Sequence, residues 1–285
     1  MADSDDSVIR AITNDGAFRV VVAKTTETVR GAIAAQHGTG RTARHFADLL
    51  TGAVLYRETM APKLRVQSIV RGAGAGGSLV ADSHPSGKTR GLIQLPRDGS
   101  EVDVDHGALL KFMRSMPGGR VNQGVVELPP GGDFSRALMA YMQTSEQVVS
   151  MIALGTIFEG EQVVSAGGYM VQLLPEVGRG PLMVMTERLR DFENIDAQLR
   201  DESFSPAWLA NQLLFGMEYT QLDEQKVGFD CWCDELRLMG ALSTLGRGEI
   251  EELVSDARPL EITCDYCGKE YRISPAQLQG LLQPS

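Results

Sequence analysis

The cysteines of this 285-residue chain constrain its fold more than any other feature, because all four lie between Cys231 and the C-terminus. They form a C-x-C pair, Cys231 and Cys233, and a C-x-x-C pair, Cys264 and Cys267. Residues 234–263 separate the pairs, enough chain to form a helix or hairpin and to return the second pair to the first. Four thiolates could then surround one Zn²⁺ ion at about 2.3 Å each. The spacing therefore predicts one zinc site at these four cysteines.

The segment that holds the cysteines, residues 228–285, is too short to be stable through apolar packing alone. The hydrophobic core of so small a domain supplies only about 3–5 kcal/mol. A structural zinc ion contributes about 10–16 kcal/mol of apparent binding energy, so metal and fold would be lost together. We therefore expect residues 228–285 to form a C-terminal domain whose folding depends on zinc.

The same spacing leaves two uses of the thiols open. A disulfide across a single residue closes a small ring, and a strained disulfide is easily reduced. Zinc holds sulfur as thiolate, whereas a free thiol with a pKa near ~8.5 is mostly protonated, so an oxidant could attack the bound sulfurs and eject the metal. Trp232 is bulky enough to shield them and slow that reaction. Spacing alone does not separate a redox sensor from an inert zinc ribbon, and a metal-free thiol pair remains a further alternative.

The charge balance argues against nucleic acid or an anionic membrane as a partner. The chain carries a formal net charge of −10, and its isoelectric point is about 5.0. Many zinc ribbons bind nucleic acid, but residues 228–285 hold ten acidic and five basic side chains. Both the whole chain and this segment would repel a phosphate backbone. We expect neither nucleic acid nor membrane to be bound.

The first residues and the thiol usage together indicate a cytoplasmic protein. Residues 1–6 are acidic and lack the basic and apolar regions of a signal peptide, and no stretch of about 20 apolar residues occurs. Clustered rather than dispersed cysteines suit a reducing compartment. Cytoplasmic residence is the expectation.

Residues 1–180 are predicted to form an α+β, or mixed α/β, core domain. Asn14, Asp15 and Gly16 are a hairpin turn signal between two β-rich runs. Asp133 is the expected N-cap of a later helix. The predicted helices span residues 28–36, 41–58 and 134–144. The predicted strands span residues 8–13, 18–24, 64–71, 78–82, 90–95, 109–114, 123–128, 148–158 and 169–174.

Residues 181–227 are predicted to be a helical linker. Apolar residues recur there at steps of three and four, namely Leu182, Met185, Leu189, Phe192, Ile195 and Leu199. Residues 201–206 interrupt the pattern, and Pro206 can begin a second helix. The stripe could pack permanently on the core or form a releasable binding surface, and the sequence does not distinguish the two.

The sequence contains partial matches to nucleotide-binding motifs but no complete nucleotide-binding or catalytic motif. The run 72–77 satisfies G-x-G-x-x-G, but a strand and turn follow it rather than a helix that could receive a pyrophosphate. Gly87-Lys88-Thr89 lacks the first glycine of a P-loop and is expected to be a hairpin turn on a solvated edge. The four histidines are scattered and are expected at the surface or at helix caps, and no G-x-S-x-G elbow occurs. We expect a protein that is not an enzyme.

The cysteine pattern and four upstream or adjoining phrases resemble the redox-regulated chaperone family known as heat-shock protein 33. The phrases are NQGVV at 122–126, TSEQ at 144–147, AGGYMVQLLP at 166–175, and CDYCG at 264–268 leading to Tyr271. They occur in the expected order and span most of the chain.

The resemblance implies a mechanism and roles for the cysteines. In the family the reduced, zinc-bound form is idle, and oxidation forms disulfides within the C-x-C and C-x-x-C pairs, releases zinc and unfolds the redox domain and linker. The exposed surface holds unfolding client proteins without ATP, and active members commonly form homodimers. On this chain the ligands and redox residues would be Cys231, Cys233, Cys264 and Cys267. Two rival functions stay open: a thiol-disulfide oxidoreductase that uses Cys264 and Cys267, and a constitutive zinc-ribbon adaptor for a protein partner.

Overall fold

The computed structural model describes residues 5–61, 63–116, 119–175 and 177–282. The chain divides into two compact units, residues 1–230 and 231–285. The larger unit is a mixed α/β fold with two sheets, as the sequence predicts. Among the described helices, none is both long and apolar enough to cross a membrane.

The first sheet of the larger unit is five-stranded and antiparallel, in the order β10-β1-β2-β9-β8. Its strands are β1 (Ser7–Thr13), β2 (Phe18–Lys24), β8 (Ser150–Glu159), β9 (Gln162–Leu173) and β10 (Tyr219–Lys226). The predicted hairpin at Asn14 to Gly16 is confirmed, since it joins β1 to β2 and the Gly16 amide donates to the Thr13 carbonyl at 2.8 Å. β9 begins earlier than predicted, directly after a tight turn from β8.

The second sheet is six-stranded, in the order β11-β5-β4-β3-β6-β7. Its strands are β3 (Val66–Arg71), β4 (Ser78–Ser83), β5 (Lys88–Gln94), β6 (Leu109–Ser115), β7 (Val121–Glu127) and β11 (Gly228–Phe229). The glycine run 72–77 connects β3 to β4, so the prediction of a strand connection is confirmed. The turn before Lys88 does not lie on a solvated edge as predicted, because β11 pairs in parallel with β5 there and covers it.

The main core forms where two helices, α1 (Thr26–Gln36) and α2 (Gly40–Glu58), meet the sheets. α2 packs against strands of both sheets, and Phe46, Leu50 and Val54 on it are fully buried. His45 on the same helix is also buried, beside the ring of Phe134, so the prediction of a surface or capping histidine is wrong for it. The predicted cap of α3 (Phe134–Tyr141) is confirmed, since Asp133 accepts from the Arg136 amide at 2.9 Å; a π-helical turn, Met142–Glu146, follows.

The stretch predicted to be a helical linker is helical only in its first part. Its helices are α4 (Arg179–Arg190), α5 (Asp196–Leu199) and α6 (Pro206–Leu213), so the apolar stripe is divided between α4 and α5. Met185, Leu189, Ile195 and Leu199 are buried in a second core on the five-stranded sheet. In this conformation the stripe is packed rather than free.

The prediction of a helical linker is wrong for the residues after Leu213, because Tyr219–Lys226 forms the edge strand β10. Its side chains are mostly exposed, so no apolar periodicity marks it in the sequence. Backbone pairing to β1 holds it, with an ion pair of 2.5 Å between Arg10 and Asp223. The Gln225 amide nitrogen also donates to the Pro85 carbonyl at 2.7 Å.

The smaller unit, residues 231–285, has a core of only a few side chains. Its described elements are α7 (Glu235–Leu242), α8 (Arg247–Ser255), β12 (Leu260–Thr263), β13 (Glu270–Ile273) and α9 (Pro275–Gly280). Leu242, Ile250, Ile273 and Leu278 are the buried apolar residues among those described. So small a core agrees with the need for an additional source of stability.

Candidate metal centre

The first cysteine pair lies directly before α7. Asp234, next to Cys233, is the N-cap of that helix and accepts from the Arg237 amide at 2.7 Å. The cap fixes the backbone at the N-terminal end of α7, next to the cysteine pair. Cys231 and Cys233 therefore lie in the irregular segment before the helix rather than within it.

The second pair lies in the turn between β12 and β13. The Cys264 amide donates to the Lys269 carbonyl at 2.9 Å, and the Gly268 amide donates to the Cys264 carbonyl at 2.8 Å. Gly268 has a φ of +71°, a left-handed conformation that glycine adopts without steric cost. The pair thus occupies a knuckle turn and does not open a helix, as the sequence indicates.

The segment before α7 and the turn between β12 and β13 bring all four sulfurs together. The four Sγ atoms lie within 4.8 Å of one another. The sulfurs of Cys231 and Cys264 are 3.8 Å apart, and those of Cys233 and Cys267 are 3.5 Å apart. Four sulfurs at about 2.3 Å from a central ion in a tetrahedron would be about 3.8 Å apart. The four cysteines form no disulfide and are placed to hold one metal ion.

The donor set restricts which metals fit. Among the described residues, the cluster contains sulfur ligands and no histidine or carboxylate. Four soft thiolates in a tetrahedral arrangement suit zinc or iron–sulfur chemistry and do not suit magnesium or calcium, which prefer oxygen. The site therefore fits a thiophilic ion.

The thiols have unequal acidities because their surroundings differ. Burial disfavours the Cys233 thiolate, but the Tyr271 hydroxyl and the neighbouring thiols outweigh it and lower the pKa of Cys233 to about 7. Burial raises the pKa values of Cys264 and Cys267. Several thiolates this close repel one another, so a cation is needed before all four can ionise.

Tyr271 and Lys269 form a layer outside the cysteines that the sequence analysis did not recognise as functional. The Tyr271 hydroxyl is buried and makes no hydrogen bond of ordinary geometry within the described residues. The Lys269 ammonium lies over the Tyr271 ring, 4.9 Å from its centroid. The sequence signal was the position of Tyr271 shortly after Cys267, at the end of the phrase CDYCG leading to Tyr271 that resembles the heat-shock protein 33 family.

Comparisons with known proteins agree with one another along nearly the whole chain. The family model described as Hsp33 protein matches residues 6–274. A 33 kDa chaperonin of Desulforamulus reducens is 27% identical, over 98% of this chain and 97% of its own length. A 33 kDa chaperonin of Thermus thermophilus is 30% identical, over 96% of this chain and 86% of its own length. The crystal structure of a 33 kDa chaperonin from Thermotoga maritima, a heat shock protein 33 homolog, has the same fold, with a TM-score of 0.81 at 21% identity over 98% of each chain.

Proposed function

The chain belongs to the Hsp33 family of chaperones, and from that premise we propose that it is a redox-regulated, ATP-independent holdase. Its clients are proteins that unfold under oxidative stress or heat, and it works in the cytoplasm. The observation that carries the proposal is the convergence of four thiols within 4.8 Å in a small unit with little core of its own.

In the reduced form, Cys231, Cys233, Cys264 and Cys267 would hold one Zn²⁺ ion. The spacing of their sulfurs and the absence of oxygen ligands in the described cluster support zinc. When bound, zinc would hold the sulfurs as thiolates and join the start of α7 to the β12–β13 turn. The reduced form is the inactive one.

Oxidation would use the thiolates in pairs. One peroxide molecule takes two electrons from two thiolates; one S–S bond forms, the O–O bond breaks, and two protons from solvent complete two water molecules. Two peroxide molecules convert both pairs, leaving no thiolate to hold the metal. We propose that the disulfides are Cys231–Cys233 and Cys264–Cys267, so zinc is released.

Loss of the metal would destabilise the smaller unit, because only a few of its described apolar residues, Leu242, Ile250, Ile273 and Leu278, are buried. We propose that α4, α5, α6 and β10 then leave the five-stranded sheet. The apolar residues that α4 to α6 cover would be exposed, among them Phe18, Val20 and Ile157. The exposed surface would hold clients, with the oxidised chain acting as a homodimer.

The two rival functions have weaker support. The C-x-x-C pair of an oxidoreductase usually opens a helix, which lowers the pKa of one thiol, whereas Cys264 and Cys267 lie in a turn and their pKa values are raised. A constitutive adaptor would need zinc only to stabilise the fold, whereas the cysteines are partly exposed, as a site of oxidation requires.

The test is light scattering of a heat-unfolding client enzyme, with the chain added reduced and zinc-loaded or oxidised by peroxide at raised temperature. Suppression of aggregation by the oxidised form alone is expected. A variant with all four cysteines changed to serine is the control, since the chain has no other thiol. Equal activity of both forms would favour the adaptor, and catalytic reduction of insulin disulfides would favour the oxidoreductase.

A further inference from the structure

Tyr271 is a half-buried tyrosine whose hydroxyl oxygen is fully buried. It lies in β13 opposite Ile262 of β12, in register with the pair Leu260 and Ile273. That face of the hairpin carries the small core, whereas the alternate pair, Glu261 and Arg272, forms an exposed ion pair of 3.1 Å. Because strand side chains alternate, the pairing directs Tyr271 inward, at the end of the core nearest the cysteines.

The Tyr271 hydroxyl has no hydrogen-bond partner of ordinary geometry among the described residues. Its oxygen is inaccessible to solvent. A buried, unsatisfied hydroxyl costs about 1–3 kcal/mol, so such a group usually has a reason to be there. Interaction with the Cys233 sulfur, followed by burial and by Cys264 and Cys267, raises the pKa of Tyr271.

A thiolate would provide the missing acceptor. A neutral thiol sulfur is a weak acceptor, whereas a charged sulfur forms a stronger, charge-assisted hydrogen bond. Lys269 places a positive charge over the Tyr271 ring, which makes the phenol a better donor. The hydroxyl, the ring and the lysine are thus arranged for the metal-bound form of Cys233.

We propose that Tyr271 is a positioning residue of the metal centre, whose hydroxyl donates a hydrogen bond to the Cys233 sulfur and holds it as a metal-bound thiolate. The bond draws electron density from the sulfur, so Cys233 would react more slowly with peroxide while the metal is bound. Tyr271 would therefore set how tightly zinc is held and how readily the switch opens. The inference rests on the metal site of the proposed function, not on the chaperone cycle.

The test compares Tyr271→Phe with Tyr219→Phe in the full-length chain. Both remove one hydroxyl and keep the ring, but Tyr219 lies in the larger unit and bonds to Asn211. Removing an outer hydrogen bond to a metal ligand typically lowers metal affinity about 10- to 100-fold. We expect that loss in Y271F, measured by competition for zinc with a chelator, together with faster zinc release by peroxide. Y219F should match the wild type.

Cobalt substitution gives a readout independent of chaperone activity. Without the hydrogen bond the sulfur electrons lie higher in energy, so the thiolate-to-Co²⁺ charge-transfer band should move to longer wavelength in Y271F. Phenylalanine keeps the packing of the ring and lacks only the hydroxyl. If the charge-transfer band and the zinc affinity of Y271F equal those of the wild type, the hydroxyl has no role at the metal centre and the inference is overturned.

A second substitution covers the case in which Y271F binds no metal at all. Site-specific 3-fluorotyrosine at position 271 makes the phenol a stronger donor, so zinc should bind more tightly and leave more slowly under peroxide. No change in either quantity would overturn the inference. A wild-type chain that binds no zinc would instead refute the proposed function itself, which separates the two failures.

Discussion

The sulfur of Cys233 lies 3.5 Å from the sulfur of Cys267, a residue of the other cysteine pair. Cys231 and Cys264 are likewise 3.8 Å apart across the pairs. The folded, metal-competent cluster therefore brings the two pairs together, whereas the proposed oxidised form joins each pair internally. Local disulfides would consume all four thiolates and so remove the link between α7 and the β12–β13 turn.

The pairing can be read from tryptic peptides of the oxidised chain. Cleavage after Lys226 and Arg237 leaves Cys231 and Cys233 on one peptide. Cleavage after Arg247 and Lys269 leaves Cys264 and Cys267 on another, because Arg258 precedes proline and resists trypsin. We expect two separate peptides, each lighter by two hydrogens, in mass spectrometry of the peroxide-treated protein. A linked pair of peptides that separates on reduction would contradict the proposed pairing.

Removing zinc from the reduced chain should unfold the smaller unit and leave the sheets of the larger unit folded apart from strand β10. The expected signs are loss of helical circular dichroism and rapid tryptic cleavage at Arg237 and Arg247, in or beside α7 and α8. The reason is the loss of roughly 10 kcal/mol or more of metal binding from a unit with a minimal core. The four-serine variant should show this cleavage without a chelator. Full protection of both sites after complete zinc removal would show that the fold does not depend on the metal.

Substitution of two methionines on α4, one buried and one exposed, can test whether packing of this helix on the sheet controls activation. Met185 is 2% exposed and packs in the second core, whereas Met183 is 73% exposed on the same helix. Met185→Ala should destabilise the docked helices by about 2–4 kcal/mol, and Met183→Ala should change stability by less than about 0.5 kcal/mol. We expect M185A to suppress client aggregation at lower temperature or less peroxide than the wild type. Identical activation of the two variants would show that release of α4 is not part of the switch.

Much of this architecture could be predicted from the sequence because it rests on local signals. The Asn14 to Gly16 turn, the Asp133 cap and the cysteine spacing each determine nearby structure. Strand β10 could not be predicted this way, since its side chains are mostly exposed and its partner strand β1 is distant in sequence. The prediction therefore assigned too much helix to residues 181–227, because the end of this stretch pairs with strand β1.

The close packing of α5 against β8 could not be predicted from sequence patterns either. A Cβ atom on Gly155 of β8 would lie 2.6 Å from Ile195 and 2.9 Å from Leu199. The absence of a side chain thus allows the short helix to approach the strand. Such a contact depends on the three-dimensional juxtaposition of two elements, and a lone glycine in a strand does not reveal its partner. Tyr271 is a similar case, because its role depends on which group its hydroxyl reaches.

Asp48 of α2 should make the stability of the larger unit depend on pH near neutrality. Burial raises the pKa of Asp48 to about 7, against a smaller opposing effect of the hydrogen bond from the Thr156 hydroxyl at 3.2 Å. Asp196 of α5 and Asp133 before α3 raise the pKa further, and Arg44 lowers it. Since the side chain is protonated in the folded state up to about pH 7 but ionises near 4 when unfolded, its contribution is most favourable at low pH. It is lost as the pH rises from about 4 to about 7, by at most about 4 kcal/mol.

Asp48→Asn removes this titration and keeps an uncharged side chain of the same shape. The melting temperature of the larger unit should therefore exceed that of the wild type by a margin that grows between pH 5 and pH 7.5 and then levels off. Asp98→Asn is the control, because hydrogen bonds from Ser100 lower the pKa of Asp98 and keep it ionised throughout that range. Its effect on the melting temperature should be constant with pH. A constant effect of D48N as well would show that Asp48 is already ionised in the folded chain throughout that range.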